Sequence, residues 1–540
     1  MPTPAPWYMN AVFYEALVRS FQDSNADGMG DLRGMISRLD HLEWLGVDCV
    51  WMPPIFESPL RDGGYDVADF YSLQPELGTL DDLADLIAAA HHRGIRVIAD
   101  LVLNHTSDAH PWFQEARIPG SDRRDWYVWS DTPDRYGDTR IIFLDTEESN
   151  WTWDDVAGAY FWHRFYSHQP DLNYDNAAVQ EEMLSVVRHW LDFGFDGFRL
   201  DATPYLFERE GTNCENLPET HEYLKRVRRL VDEEFPDAVM LSEANQWPRD
   251  VVGYFGDGDE CHMNFHFPVM PRLYMALARQ RVSDIVEILD DTPDIPNGCQ
   301  WATFLRNHDE LTLEMVTPED REFMWEHYAP DPAARLNLGI RRRMAPLVGG
   351  DRGALELLHG LLLSLPGSPV LYYGDEIGMG DDISLPDRDG VRTAMQWEPV
   401  RSGGFSDAHP DEFHIPILDG EYGPEQVNVA DQKADPGSFL NWLRTMLEVR
   451  KGRPEMGRGD FEILESGDDA VLAFLRTLDD RRTLVVANVA HEPRRAVITH
   501  PVVAGKVPRD VATGEPVREA GGDPFHIELD PLGFLWLDLG

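Results

Sequence analysis

Residues 79–105 read TLDDLADLIAAAHHRGIRVIADLVLNH and combine an amphipathic helix with a buried strand. Thr79 can cap the first helical turn, the leucines and alanines form one apolar stripe, and Gly94 can end the helix. The next residues, RVIADLVL, are almost continuously apolar, which is typical of a strand that is covered on both faces. The stretch therefore predicts a helix that packs on a parallel sheet, followed by a strand of that sheet.

The alternation of apolar strands and amphipathic helices continues along the chain and predicts an α/β fold. The eight strand-like runs are AVFYEALV near residue 11, DCVWM at 48, RVIADLVL at 96, GFDGFRLDA at 194, AVMLSEA at 238, CHMNFHF at 261, WATFLRNH at 301 and PVLYYGDE at 369. Eight such units favour a closed (β/α)8 TIM barrel, and the pattern alone leaves a doubly wound open sheet as the alternative.

Two regions interrupt this rhythm and divide the chain. Residues 106–175 are rich in Trp, Asp and Pro and are too long for an ordinary connection, so we predict an inserted subdomain over the barrel mouth. Residues 455–540 contain short alternating runs such as RTLVVANVA, which predict a C-terminal antiparallel β-sandwich domain. The barrel would then comprise residues 1–105 and 176–454.

Composition limits the classes of partner. The 540 residues include 47 Lys and Arg against 96 Asp and Glu, for a formal net charge of −49. Such a charge repels phosphate backbones and anionic membranes, so we expect neither nucleic acid nor a membrane as partner. Aromatic residues make up 11% of the chain and suit stacking against sugar rings. The sequence leaves the oligomeric state open, with a homo-oligomer among the alternatives.

The cysteines and the N-terminus predict a cytoplasmic location. The chain has four cysteines, Cys49, Cys214, Cys261 and Cys299, with no C-x-x-C spacing. This favours buried thiols in a reducing compartment over disulfides or a zinc site. The N-terminus lacks a basic region followed by an apolar one, and no long apolar stretch is present.

The stretch SFQDSNADGMGDLRG, residues 20–34, places oxygen-bearing side chains at alternate positions around glycines. Alternating oxygens let a tight loop turn several ligands toward one hard cation. An acidic, solvated turn between a strand and a helix is the alternative. The side chains concerned are Asp23, Asn25, Asp27 and Asp31.

Polar side chains stand where several predicted strands end, which is where barrel enzymes place their active sites. The residues are Asp100, Asn104 and His105 at the end of the third strand, Arg199 and Asp201 on the fourth, Glu243 on the fifth, and His308 and Asp309 on the seventh. Each alone could be a strand-end cap or a structural ion pair. Together they predict a cluster of carboxylates, with two histidines and an arginine, at one barrel mouth.

This set suits cleavage of a glycosidic bond through a covalent intermediate, because such a site needs an ionised nucleophile and a second carboxyl that donates a proton. Asp201 suits the first role, since Arg199 lies on the same strand face and should keep it ionised. Glu243 suits the second if burial and neighbouring carboxylates raise its pKa. Retention of configuration would require the two carboxyls to lie about 5 to 5.5 Å apart.

The remaining polar residues at the mouth are expected to hold the sugar. Asp309 would bind sugar hydroxyls and support distortion of the substrate, while His105 and His308 would donate hydrogen bonds to the same ring.

Four segments resemble the signature segments of the α-amylase family (glycoside hydrolase family 13): DLVLNHTS, GFRLDA, SEAN and FLRNHDE, in the family's order and spacing. The resemblance covers nearly the whole chain. It implies that Asp201 is the nucleophile, Glu243 the acid/base and Asp309 the stabiliser of the transition state, in agreement with the roles assigned from the residues.

Further family segments extend the resemblance to the sugar-binding pocket. RDGGYDV matches the segment that forms the non-reducing sugar subsite, here through Asp62, Tyr65 and Asp66, and GVRTAMQW places Arg392 near the same pocket. Asn245, within SEANQWP, is also assigned to substrate binding.

The opening loop and QPDLN at 169 resemble one branch of the family, which includes oligo-1,6-glucosidases. The resemblance implies that Asp23, Asn25, Asp27, Asp31 and the carbonyl of Met29 bind a structural Ca²⁺, with Mg²⁺ as the alternative in this loop. It also implies a second calcium site. Its ligands would be Asn104, Asp171, Glu208 and the carbonyls of Tyr205 and Leu206.

Longer runs, among them NFHFPVMPRLYMAL and LNLGIRRRMAPL, resemble family members that interconvert the disaccharides maltose and trehalose. Such an enzyme must keep released glucose in a closed pocket while it turns and attacks again. The aromatic insertion and a gate formed by Arg392 and Glu310 are the predicted lid. The alternatives are an α-glucosidase or sucrose hydrolase with an open acceptor site, and a non-catalytic relative such as the heavy chains of amino-acid transporters.

Overall fold

The computed structural model of the chain describes residues 5–504, 506–517 and 524–540, and its centre is a closed barrel of eight parallel strands. The strands are β1 (Phe13–Glu15), β2 (Cys49–Met52), β3 (Arg96–Val102), β4 (Gly197–Asp201), β5 (Val239–Ser242), β6 (Met263–Phe265), β7 (Gln300–Phe304) and β8 (Ser368–Tyr372). Consecutive strands pair, and β1 pairs with both β2 and β8. Six strands lie within a predicted run, and β7 and β8 begin one residue before theirs, so the predicted TIM barrel is confirmed and the open sheet is excluded.

Helices follow the strands and cover the barrel. Leu80–His92 begins as expected, because the Thr79 side chain accepts a hydrogen bond from the Asp82 backbone and Asp82 accepts one from the Thr79 backbone. The α-helices of six or more residues are Leu32–Leu45, Leu80–His92, Pro111–Ala116, Ala177–Phe193, Pro218–Glu234, Val269–Arg279, Ser283–Asp290, Pro318–Tyr328, Arg352–Leu362, Val429–Ala434 and Phe439–Lys451. No helix in the described part of the chain is long and apolar enough to cross a membrane.

The insertion after β3 forms a small sheet of its own. Its three antiparallel strands are Trp129–Ser130, Trp151–Asp154 and Ala159–Trp162, with the last of these in the middle. Aromatic side chains fill it, and Trp151 and Trp162 pack edge to face with ring centroids 5.0 Å apart. Two more small sheets pair Phe56–Glu57 with Asp69–Leu73, and Leu311–Thr312 and Arg335–Leu336 with Gly339–Ile340.

The C-terminal part consists of two antiparallel sheets that share one apolar core. The larger sheet has the order β9 (Asp460–Leu464), β10 (Val471–Leu478), β11 (Arg481–Asn488), β15 (Phe534–Asp538) and β13 (Arg509–Asp510), and the smaller one pairs β12 (Arg494–Ile498) with β14 (Phe525–Leu529). Leu484 and Val486 of the larger sheet pack in one cluster with Phe525 and Ile527 of the smaller. The predicted β-sandwich is confirmed.

Candidate active site

The three predicted catalytic carboxylates meet at the carboxyl ends of the barrel strands. Asp201 is the last residue of β4, Glu243 follows β5, and Asp309 lies in the loop after β7. All three line one cavity of about 120 Å³. The convergence expected from three separated strand ends is therefore present.

Arg199 joins the carboxylates of three neighbouring strands. Its Nη1 lies 2.9 Å from Asp100 Oδ1 and 2.5 Å from Asp201 Oδ1, while its Nη2 lies 2.7 Å from Glu243 Oε1. Its side chain is 1% exposed, so these contacts supply most of the charge that balances a buried guanidinium. The nucleophile and acid/base candidates are thus held by the two ends of one planar group.

Burial sets the titration of the two candidates. Burial raises the pKa of Asp201 to about 7, although Arg199 opposes the rise. Burial raises the pKa of Glu243 to about 8, with Arg199 again opposing and Asp201 adding to the rise. The coupled pair thus favours an ionised Asp201 beside a protonated Glu243, as a nucleophile and a proton donor require.

Asp309 has a different environment, because two arginines approach one of its oxygens. Arg388 Nε and Arg392 Nη2 each lie 3.1 Å from Asp309 Oδ1, and His308 Nε2 lies 3.2 Å from Oδ2. Burial alone would raise the pKa of Asp309, but Arg388 and Arg392 hold it below its ordinary value. Asp309 therefore stays ionised where positive charge would develop on a sugar ring.

The other predicted substrate residues fall into two groups. Those on the cavity wall are Asp62, Tyr65, His105, Asn245 and Glu310. Those that lie behind the wall and bind its carboxylates are Arg199, His308 and Arg392.

Burial shifts the pKa of two wall residues, His105 and Asp62. Burial lowers the pKa of His105 to about 3, and its Nε2 has no protein partner. Burial raises the pKa of Asp62 to about 7, and Gln169 Nε2 donates to its Oδ2 at 2.8 Å. Asp66, in contrast, accepts from Ser58 Oγ at 2.8 Å and from the Asp62 backbone, so it shapes the loop.

The predicted gate of Arg392 and Glu310 is wrong. The Arg392 side chain is directed beneath Asp309, since its Nε donates to the His308 carbonyl at 2.9 Å. Glu310 pairs instead with Arg388, whose Nε lies 2.9 Å from its Oε2 and whose guanidinium carbon lies 4.7 Å from the Phe143 ring centroid. This contact joins the loop after β7 to the loop after β8 and to the insertion.

A second ion pair, between Arg140 and Glu314, spans the mouth nearby. Arg140 Nη1 lies 3.0 Å from Glu314 Oε2, and Arg140 Nε lies 2.8 Å from Glu215 Oε1. Asn245 Nδ2 donates to Glu314 Oε2 at 3.2 Å, so the pair reaches a residue of the cavity wall. We call the pairs Arg388–Glu310 and Arg140–Glu314 the lid pairs.

Several residues of the site escaped prediction. No local sequence pattern marks Arg388, Arg140 or Glu314, because each forms an ion pair with a residue far away along the chain. The wall also includes Ile142, Phe143 and Phe165 of the aromatic insertion and Phe267 after β6. Glu15 was missed although it ends β1 as a buried carboxylate, and the rule of polar strand ends could have found it.

The N-terminal loop satisfies its own buried carboxylates. Asp23 accepts hydrogen bonds from the backbone of Asn25, Ala26 and Gly28 and from Ser406 Oγ. Asp31 caps the helix Leu32–Leu45 by accepting from the Gly34 backbone. Within this loop no buried side-chain oxygen lacks a partner, so hydrogen bonds alone account for the buried carboxylates, and the cation expected there stays a prediction.

The second predicted cation site, in contrast, contains buried side-chain oxygens that have no hydrogen-bond partner. Asn104 Oδ1, Asp171 Oδ2 and Glu208 Oε1 are all buried without a hydrogen-bond partner. Burial raises the pKa of Asp171 to about 8 and that of Glu208 well above its ordinary value, with Asp171 adding to the latter. Unpartnered buried oxygens are the donors that Ca²⁺ prefers, so these residues fit a calcium ion.

Asp171 and Glu208 would not suffice alone to hold a metal ion. Among residues 5–504, 506–517 and 524–540, no three or more His, Cys, Asp or Glu side chains are grouped to hold a metal ion. The remaining ligands would have to be amide and backbone oxygens. Glu208 also lines a second cavity, of about 210 Å³, beside the insertion.

The barrel, its insertion and the converging carboxylates define a glycoside-processing enzyme, and sequence comparison identifies its family. The model of the alpha amylase catalytic domain matches residues 16–328 and 341–459, and that of the maltogenic amylase C-terminal domain matches residues 461–536. The chain belongs to the α-amylase family.

The chain is similar to other proteins over all or nearly all of its length. It is 56% identical to a trehalose synthase/amylase of Mycolicibacterium smegmatis, over 100% of this chain and 93% of that protein. It is also 56% identical to a trehalose synthase of Pimelobacter, over 99% and 96%. Among solved structures, the trehalulose synthase of Pseudomonas mesoacidophila is similar with a TM-score of 0.80 and 26% identity, over 99% of this chain and 100% of that one.

The pKa values predict a bell-shaped dependence of kcat/KM on pH. Below about pH 7 Asp201 gains a proton and ceases to be a nucleophile, and above about pH 8 Glu243 loses the proton that the leaving group needs. The measurement is initial rate against pH with maltose.

The control is α-glucosyl fluoride, because fluoride leaves without a full proton transfer. We expect the acid limb to persist and the alkaline limb to disappear with this substrate. An alkaline limb of equal steepness with both substrates would show that Glu243 is not the proton donor.

Proposed function

We propose that the protein interconverts maltose and trehalose by intramolecular transfer of a glucosyl unit, with minor hydrolysis to glucose. The observation that carries the proposal is the small cavity that contains all three carboxylates and is bridged by the lid pairs. The names of relatives that are 51 to 57% identical over nearly the whole chain support the same activity.

The proposed reaction uses the carboxylates in two steps. Asp201 attacks the anomeric carbon while Glu243 protonates the departing glucose, and a covalent glucosyl-enzyme forms. The freed glucose turns within the cavity, and its own anomeric hydroxyl attacks as Glu243 takes the proton back. Two displacements retain the α configuration, and the link changes from α-1,4 to α,α-1,1.

Exclusion of water decides between this reaction and hydrolysis, because water competes with the retained glucose for the same intermediate. The lid pairs connect the insertion, the loop after β7 and the loop after β8 around the cavity. An α-glucosidase or sucrose hydrolase would use the same carboxylates with an open acceptor side.

We further propose a structural Ca²⁺ bound by Asn104, Asp171 and Glu208 with the carbonyls of Tyr205 and Leu206. The support is the set of three buried oxygens without partners. The N-terminal loop is proposed as a second cation site, for Ca²⁺ or Mg²⁺. A cytoplasmic location is also proposed, and the burial of all four cysteines as free thiols supports it.

Carbon NMR of products tests the proposed activity. Purified protein incubated with maltose should yield trehalose, and with trehalose should yield maltose, with glucose as a minor product in both. An Asp201→Ala variant should catalyse neither conversion. Accumulation of glucose alone would identify an α-glucosidase and refute the isomerase.

Glu314→Gln tests the role of the lid. The substitution keeps the size of the side chain but removes the ion pair with Arg140, so we expect the ratio of glucose to isomerised product to rise several-fold. The matched control is Glu234→Gln, which breaks an exposed pair with Arg188 at 2.8 Å on the outer helices and should leave the ratio unchanged. An unchanged ratio in Glu314→Gln would exclude Arg140–Glu314 as a water barrier.

Metal analysis separates the two proposed cation sites. Native protein should contain two cations per chain, and Glu208→Gln and Asp27→Asn should each contain one. Removal of Ca²⁺ should lower the melting temperature, because a ligand at about 100 times its Kd stabilises by about 2.7 kcal/mol. The melting temperature of Glu208→Gln should no longer respond to Ca²⁺ through this site. A single cation that survives in Glu208→Gln and vanishes in Asp27→Asn would place the metal in the N-terminal loop alone.

A further inference from the structure

Glu15 is a fully buried carboxyl that ends β1 and contacts a residue of the active site. Its Oε1 lies 2.5 Å from His308 Nδ1 and also accepts from the His308 backbone at 3.3 Å. Its other oxygen, Oε2, is buried without a hydrogen-bond partner. Glu15 does not line the cavity, and its side-chain hydrogen bonds connect it to the cavity through His308.

The Nε2 atom of His308, on the side of the ring away from Glu15, must carry a proton. The Tyr65 hydroxyl has one hydrogen and donates it to Asp100 Oδ2 at 2.9 Å. Asp100 also accepts from Arg199 Nη1, and burial raises its pKa only to about 6, so above that pH it acts as an acceptor. The Tyr65 oxygen, 2.7 Å from His308 Nε2, must therefore accept from that nitrogen.

On the side of the ring that faces Glu15, a second proton must lie between His308 Nδ1 and Glu15 Oε1, because these atoms are within hydrogen-bond distance. Either an imidazolium donates to a carboxylate, or a carboxylic acid donates to a neutral imidazole. A carboxylate would place charge on Oε2, which has no partner, and an unpartnered buried charge is far more costly than an unpartnered neutral oxygen. The local contacts thus favour the neutral acid and the neutral imidazole.

The surrounding charges agree with this assignment. Burial, with Asp309 adding, raises the pKa of Glu15 well above its ordinary value, although Arg199 opposes the rise. Burial lowers the pKa of His308 well below its ordinary value, with Arg392, Arg199 and Arg388 adding and Asp309 opposing. The charged groups that face the pair therefore leave both members uncharged.

We propose that Glu15 is a positioning residue that remains a neutral carboxylic acid, donates its proton to His308 Nδ1 and thereby fixes His308 as the neutral tautomer with hydrogen on Nε2. That N–H donates to the Tyr65 oxygen, and Asp309 Oδ2 lies 3.2 Å from the same nitrogen, so the ring position set by Glu15 bears on both wall residues. A neutral imidazole contacts Asp309 without adding a third cation to Arg388 and Arg392, so less of the negative potential of the carboxylate is offset when positive charge develops on the sugar ring. The effect on rate rests on the proposed glucosyl transfer, whereas the protonation state does not.

Glu15→Gln and Glu15→Leu distinguish the neutral acid from an ion pair. The amide N–H of glutamine can replace the acid as donor to Nδ1, whereas leucine is of similar size and offers no donor. With an aryl α-glucoside, we expect kcat of Glu15→Gln to stay within about threefold of the parent. We expect Glu15→Leu to lose about tenfold or more in kcat with little change in KM, because the orientation of Asp309 matters most in the transition state.

Nitrogen NMR of histidine-labelled protein reads the proton positions directly, with the His308 signals assigned by their loss in His308→Asn. We expect protonated Nε2 and unprotonated Nδ1 in the parent and in Glu15→Gln. Two protonated nitrogens in the parent, equal losses of rate in both variants, or full activity in Glu15→Leu would each overturn the proposal. If Glu15→Leu does not fold, Glu15→Gln and the NMR measurement decide. Cleavage of an aryl glucoside does not require isomerisation, so failure of the proposed function would leave this result intact.

Discussion

The active site depends on the buried guanidinium of Arg199. Removing a cation from water costs several kcal/mol unless ion pairs and hydrogen bonds replace its hydration. Here Asp100, Asp201 and Glu243 supply those contacts from β3, β4 and the end of β5. Asp100 stands directly opposite Arg199 in the register of β3 and β4. The closed parallel sheet is therefore what brings the matching charges to this cation.

The carboxylates of the site differ in how many arginines contact them, and this difference distinguishes their roles. One guanidinium serves three carboxyls on the Arg199 side, so it cannot compensate all of them, and Glu243 retains a proton near neutral pH. On the other side Asp309 faces both Arg388 and Arg392, although Arg388 also contacts Glu310, and Asp309 stays ionised. Acid and anion thus coexist in one cavity because the positive charge is unevenly shared.

The barrel and the catalytic carboxylates could be predicted because their signals are local. A run of apolar residues that ends in Asp201 marks both a strand and its functional end, and the helix from Leu80 has its cap at Thr79 in the sequence. The lid pairs could not be predicted in the same way. Glu310 lies 78 residues from Arg388, and Arg140 lies 174 from Glu314. The partners of long side chains on irregular loops depend on where the fold places those loops. The sequence does not give these positions, and the predicted pairing of Arg392 with Glu310 was wrong for this reason.

The two lid pairs differ in exposure, and this difference bears on how the cavity exchanges its contents. The side chain of Arg388 is 5% exposed, whereas that of Arg140 is 36% exposed. An exposed ion pair contributes little to stability because water can replace its partners, whereas separation of a buried one leaves a charge uncompensated. The two acceptors, Glu314 at 13% and Glu310 at 12%, are equally buried, so the difference lies in the arginines and makes separation at Arg140 the less costly movement. Under the proposed glucosyl transfer, a lid that is firmly held at Arg388 and weakly held at Arg140 would admit a disaccharide and still exclude water while the glucosyl-enzyme exists.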